Sequence, residues 1–286
     1  MVRRVDPPGA GGRGGDHKDS ALEQAAIALR NNRPNEAQQL AAALLKNDPR
    51  NFRALHILGC ALLIQGRAQE ALPPLEAAAR GRHDAEIDTQ LATALRQLGR
   101  REDALSRLKR ATRRQPAYAP AFHELGCLLA DMGRDAEAIE AFRHGVAIAP
   151  MMPDLSVQLG YAHLRGRDVA AARSAFSRAL DIVPNSPDAL FGMAKSHQEV
   201  GENQDAAGFF RRYLAIRPND AGAWITYGHC LLEQGELDTG YACFRTAARG
   251  GPQRYARALG SLIASGRGRF WLKPSSAAQY MLGTPQ

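Results

Sequence analysis

The sequence predicts an all-α fold, a solenoid of antiparallel helix pairs, and three observations carry that expectation. Pro116, Pro150, Pro184, Pro218 and Pro252 recur at intervals of 34 residues, and Pro49 precedes Pro116 by 67. A fixed period of this length marks an array in which each repeat stacks only on its neighbours. Cutting the chain at that period gives seven repeats: 18–51, 52–84, 85–118, 119–152, 153–186, 187–220 and 221–254. Their eighth positions are Ala25, Gly59, Ala92, Gly126, Gly160, Ala194 and Gly228. The twentieth positions are as small, namely Ala37, Ala71, Ala104, Ala138, Ala172, Ala206 and Gly240. Two columns with no side chain larger than a methyl group let two helices cross closely, so each repeat reads as one hairpin.

The elements of a repeat follow in order. A first helix ends at position fifteen, which is Gly in five repeats (Gly66, Gly99, Gly133, Gly201, Gly235), as a left-handed residue past a helix C-terminus requires. Asn32 and Arg167 are the exceptions. In the second helix, position twenty-four carries Phe142, Phe176, Phe210 and Phe244 in the later repeats and Leu75 and Leu108 in two earlier ones, a bulky wedge between successive hairpins. Ala41 in the first repeat is too small to fill that place. The Pro column stops the second helix. Behind it Ser186 and Asp220 are suited to cap the next helix, with Pro187 in its first turn.

Composition narrows the function classes. The 286 residues are 45% hydrophobic and 23% charged, the balance of a soluble globular protein. No stretch approaches the roughly 18 apolar residues of a membrane span, and Arg3 and Arg4 have no apolar run behind them. Cys60, Cys127, Cys230 and Cys243 are too sparse for a disulfide scaffold, so a reducing cytoplasm is the expected compartment. The net charge of +8 sits at the ends: residues 1–18 carry +2 and residues 249–286 carry +6, leaving 27 basic and 27 acidic side chains between them. A neutral body of mixed sign is no electrostatic trap for nucleic acid.

At its repeat columns the sequence resembles the tetratricopeptide repeat family, a 34-residue helix pair with small residues at positions eight and twenty, an aromatic near twenty-four and Pro at thirty-two. Trp224, Tyr227, Gly228, Gly240, Phe244, Ala247 and Pro252 follow that pattern in the last repeat, with Gly240 where Ala is usual, and His83 stands where Pro is expected. The resemblance covers residues 18–254 and implies a right-handed superhelix whose first helices line a concave groove, with positions two, five, nine, twelve and thirteen facing inward. Those positions carry Arg53, His56, Cys60, Leu63 and Ile64 in the second repeat, and His123 and Cys127 in the fourth. In the fifth they carry Asp154, Val157, Tyr161, Leu164 and Arg165, in the sixth Asp188, Phe191 and Lys195, and in the seventh Ile225, His229 and Leu232. Apolar anchors rimmed by charge suit a partner peptide or helix.

Two groove chemistries of the family are missing. No repeat pairs the Lys and Asn of a carboxylate clamp, and every Asn lies in a turn or near a helix end, so there is no asparagine ladder. The implied function is a non-enzymatic interaction scaffold or adaptor. The alternative is a targeting or regulatory array for a sulfotransferase or hydroxylase whose catalytic part lies elsewhere.

Candidate chemistry is thin. His56 with Cys60 and His123 with Cys127 are spaced i, i+4 on one helix face each. Two ligands do not close a zinc site, which wants four, so these read as groove-lining residues and no metal or cofactor is expected. Phosphate-loop and catalytic motifs are absent, and no activity is expected within the chain. Residues 1–17, Gly-rich, read as a flexible tail, and residues 255–286 as a cap helix followed by a basic aromatic tail. The basic side chains and tryptophan of this region are Arg254, Arg257, Arg267, Arg269, Trp271 and Lys273. Either Phe270, Trp271, Tyr280 and Leu282 fold back to complete the cap, or the segment contacts nucleic acid or an anionic membrane.

Overall fold

The structure, a computed structural model, describes residues 13–81, 84–249, 251–264 and 281, with side chains described from Ser20 onward. It is all-α. The chain divides into two compact bodies, Met1–Ile148 and Ala149–Gln286. The N-terminal body holds four hairpins: α1 (Arg13–Arg30) with α2 (Pro34–Asn47), α3 (Phe52–Ile64) with α4 (Ala68–Gly81), α5 (Ala85–Gln97) with α6 (Arg101–Thr112), and α7 (Ala119–Asp131) with α8 (Asp135–Ile148). The C-terminal body holds α9 (Pro153–Arg165) with α10 (Val169–Ile182), α11 (Pro187–Glu199) with α12 (Asn203–Ile216), α13 (Ala221–Glu233) with α14 (Leu237–Ala248), and a last helix, α15 (Pro252–Ile263). Helix α1 begins at Arg13, inside the segment expected to be a tail, and the first hairpin is formed.

Each turn of a hairpin passes through the left-handed region, at Gly66, Gly99, Gly133, Gly201 and Gly235 with φ between 73° (Gly133) and 84° (Gly235). Asn32 (φ 53°) and Arg167 (φ 61°) adopt the same conformation, so the turn geometry overrides the missing glycine at both places. Several helices start with a side-chain cap: Asn51, Asp84, Asp168, Ser186 and Asp220 each accept a hydrogen bond from a backbone N–H three residues on.

The two helices of a hairpin interlock through positions eight and twenty-four. A Cβ placed on Gly126 would lie under 3.0 Å from the ring of Phe142, one on Gly160 under 3.0 Å from Phe176, and one on Gly228 under 3.0 Å from Phe244. Gly59 stands in the same relation to Leu75. Phe176 also fills the space above Gly192 on α11, so one ring closes its own hairpin and wedges against the next. The first hairpin solves the same problem differently: Ala25 faces a core of Leu22, Ala28, Ala37 and Ala41, closed by Ile57 from α3. Small residues on both helices leave no void for a ring to fill.

Position four of the repeat is Leu55, Phe122, Leu190 and Trp224 in four cases, but Asp88 in the third. Asp88 is 2% exposed. Its carboxylate accepts hydrogen bonds from Arg110 Nε at 2.9 Å and Arg114 Nε at 3.1 Å, with Arg107 Nη1 3.7 Å away. A second Arg110 nitrogen closes a bidentate pair. Three cations from α6 and its end thus hold one acid of α5. A buried ion cluster in an apolar place is a poor source of net stability, although removing one side of it is costly.

At the end of the array, Tyr255, Ala258, Leu259, Leu262 and Ile263 of α15 cover the apolar face of the last hairpin, and Met281, 8% exposed, joins the same cluster. Of the residues expected to complete the cap, Phe270, Trp271, Tyr280 and Leu282 lie outside the described residues.

Replacing Gly126 with Leu is expected to destabilise the N-terminal body by about 1–3 kcal/mol through overpacking against Phe142, seen as a lower denaturation midpoint. Asp88→Ala is expected to cost about 1–3 kcal/mol, since the surrounding guanidinium groups lose their acceptor. Asp88→Leu, which restores the apolar residue found in four other repeats, should cost less than Asp88→Ala in the same denaturant titration.

Candidate functional site

Within each body the hairpins stack in order, so the first helices of successive repeats lie side by side and their inward positions form one surface. In the N-terminal body this surface closes into a cavity of about 440 Å³ between α1, α3 and α5. Leu22, Ala26, Leu29 and Arg30 come from α1, Phe52, Arg53, His56, Ile57 and Cys60 from α3, and Asp84, Glu86 and Ile87 from the start of α5. Within repeats one and two these are largely positions five, nine, twelve and thirteen, or two, five and nine. The walls are apolar, with arginines on α1 and α3 and acids on α5. Arg30 pairs with Glu23 at 2.9 Å on the exposed side of α1. Sequence reasoning named Arg53, His56 and Cys60 here but not the residues of α1 and α5. The same positional rule applied to repeats one and three would have found Leu22, Ala26, Leu29, Arg30 and Glu86.

Burial pushes the Cys60 thiol up to about 12, with the charge of Glu86 adding to the effect. Cys60 is therefore a neutral thiol at physiological pH, and its S–H faces His56 Nε2 at 3.3 Å. It is a packing group rather than a nucleophile. The second pair, His123 and Cys127 on α7, is looser at 3.9 Å. Hydrogen bonds to Cys127 and Glu124 raise His123 to about 10 against the opposing effect of burial. Burial raises Glu124, but His123, Arg96 and Thr93 together hold it below the usual carboxylate range. Glu124 Oε2 lies 3.4 Å from Arg96 Nη2 and 3.3 Å from Thr93 Oγ1, so this cluster ties α7 to α5.

In the C-terminal body the inward positions divide. Asp154, Arg165 and Asp188 are exposed, while Tyr161, Leu164, Phe191, Lys195 and His229 are half-buried. Tyr161 donates its hydroxyl to the backbone carbonyl of Asp188 at 2.9 Å and meets Phe176 edge-on. Phe191 packs on Phe210 and Tyr213. Lys195 Nζ donates to Gln198 Oε1 at 2.9 Å. His229 is shifted down by burial and lies 2.7 Å from Ser261 Oγ of α15.

Four expected anchors are core residues instead. Val157 sits in a cluster with Phe176, Ala189 and Met193. Ile225 and Leu232 sit under α15 with Phe244 and Met281. Leu63 is 7% exposed. These four occupy positions five and twelve, which border the next element of the stack, whereas Phe191 and Leu164 at the same positions stay half-buried. Ile64, at position thirteen, is exposed. Of the basic tail, Arg254 and Arg257 are exposed on α15, whereas Arg267, Arg269, Trp271 and Lys273 lie outside the described residues.

Among the described residues, one group brings three possible metal ligands within 4.8 Å, namely His197, Glu202 and Asp205. Glu202 Oε2 already pairs with His197 Nδ1 and accepts from Arg173 Nη2, each at 2.6 Å. A guanidinium on the same oxygen opposes a cation there, and the two paired histidines and cysteines contribute nothing to this group.

The His123 cluster makes a pH prediction. A histidine whose folded pKa is raised adds stability that is complete below its unfolded value, about 6.5, and is lost as pH rises through its folded value. The stability difference between the native chain and His123→Ala is therefore expected to be largest near pH 6 and mostly gone above about pH 10, by denaturant titration at each pH.

Two family models, both described as Tetratricopeptide repeat, match residues 22–86, 89–153 and 123–187, and residues 197–263. No curated protein matches the chain in sequence. Among solved structures, pilF of Pseudomonas aeruginosa aligns with a TM-score of 0.64 at 17% identity, covering 78% of this chain and 98% of that one. Human IFIT1, in a dimer with m7Gppp-AAAA, aligns at 0.66 and 15% identity, covering 93% and 68%. TTC0263, a thermophilic TPR protein of Thermus thermophilus, aligns at 0.55 and 23% identity, covering 63% and 98%. The repeat columns, the interlocked hairpins and these matches agree, and the chain belongs to the tetratricopeptide repeat family.

Proposed function

We propose that this protein is a non-catalytic interaction scaffold that holds a peptide or helix of a partner protein in the groove of its N-terminal body. The observation that carries this reading is the cavity between α1, α3 and α5, with apolar walls and charges of both signs at its edge. Its size suits one or two anchoring side chains, and the mixed charge offers partners for flanking residues of either sign. The family's usual role in binding proteins supports the same reading. No helix among the described residues is long and apolar enough to cross a membrane.

The test is site-specific photo-crosslinking in native lysate, with the reactive group at Arg53 on the groove side or at Glu76 on α4, away from the cavity. A polypeptide crosslinked from Arg53, not from Glu76, and lost when Ala26→Phe fills the cavity, is the expected outcome. Crosslinks to RNA from Arg53, or equal crosslinks from both sites, would overturn the proposal. Tyr161 and Phe191 are less suitable probes, because Tyr161 joins hairpins and Phe191 packs on the rings of α12, and their replacement by charge would disturb packing. Truncation to separate groove from tail should end after Ala264, since a chain ending at Pro252 loses α15.

A further inference from the structure

We propose that the outward face of α6 is a second docking surface, separate from the groove, and that it takes an acidic segment of a partner protein. A shallow, solvent-open hollow lies on this face, lined by Ser106, Arg107, Lys109, Arg110 and Arg113. Four cations and a hydroxyl surround it, with no acid in its lining. Residues 100–114 carry seven basic side chains against Glu102 and Asp103, although the chain between residues 19 and 248 is neutral in sum. Helix α6 is the second helix of its hairpin and contributes nothing to the groove cavity.

Glu102, exposed in the first turn of α6, borders this surface at its N-terminal end, whereas the other nearby acids are engaged. Asp103 pairs with Arg100 at 2.7 Å. Glu137 of α8, whose charge reaches Lys109, is held by both nitrogens of Arg134 at 2.7 and 2.8 Å. Buried Asp88 carries one negative charge against three surrounding guanidinium groups. That surplus leaves the face cationic, while the hydrogen bonds to Asp88 preset Arg110 and so reduce the rotamer entropy lost on binding.

The chemistry of the lining selects among anions. The Arg110 fork is held by Asp88, and the exposed Arg113 is left to take a carboxylate in a bidentate manner beside the point charge of Lys109. No aromatic side chain interleaves the cations, so the face lacks the stacking platform of single-stranded nucleic-acid sites. From Ser106 to Arg113 the helix rises about 10 Å, the reach of roughly three extended residues and too short for the run of phosphates that duplex binding uses.

The experiment measures fluorescence anisotropy of labelled hexaglutamate with the full chain. Binding is expected at low salt, with at least tenfold weakening at about 0.3 M salt and at least tenfold weakening in the double variant Lys109→Glu with Arg113→Glu. Neither residue touches Asp88. Ala26→Phe should leave this affinity unchanged, which separates the test from that of the groove. If charge reversal beside Glu137 prevents folding, judged by circular dichroism, Lys109→Gln with Arg113→Gln serves, with at least threefold weakening expected. Absence of binding, binding unchanged by the double variant, or displacement of the peptide by oligouridine at lower concentration would each overturn the proposal, the last by giving the face to nucleic acid.

Discussion

The structure depends on one steric constraint, the contact between a Gly or Ala at position eight and, in six of the seven repeats, a ring or leucine sixteen positions later. With Gly at position eight, Phe142, Phe176 and Phe244 can lie flat against the partner helix, and the two helix axes approach closely enough to exclude voids. The same Phe176 reaches Gly192 of the next hairpin, so closure within a repeat and stacking between repeats share one side chain. In an array where each repeat touches only its neighbours, such a shared wedge couples otherwise separate units.

Stacking of this kind aligns the first helices and so creates the groove. It also decides which inward residues remain available. Val157 packs into the core shared with the following hairpin and Ile225 and Leu232 are covered by α15, while Arg53, Asp154 and Arg165 stay at the surface. What remains around the N-terminal cavity is an apolar wall with polar ends. Cys60 belongs to that wall, since burial keeps its thiol protonated.

Charge behaves differently from packing, because its effect depends on local arrangement rather than on the sum. Between residues 19 and 248 acids and bases cancel. Yet Arg107, Arg110 and Arg114 gather about Asp88, where four other repeats place Leu or an aromatic residue. The carboxylate forgoes hydrophobic burial at that position and orders a cationic helix face in return. The sum over residues 19–248 hides this patch, because acids elsewhere in the body offset its run of basic residues from 107 to 114.

The sequence by itself determined the local architecture. The proline column, the glycine turns and the small-residue columns specify helix, turn and hairpin through contacts within a few residues, and the tetratricopeptide resemblance follows from them. The inward positions were given only by the tetratricopeptide resemblance, not by the local contacts. Tertiary structure alone decided that Asn32 and Arg167 take a left-handed turn, that Leu63 and Val157 are covered, and that the poor-looking first repeat supplies a wall of the cavity. Only it brought Asp88 to Arg110, 22 residues away. Helix propensity acts over a turn or two of chain, whereas burial and ion pairing depend on what the neighbouring hairpin places against a residue, and that is fixed by packing in space.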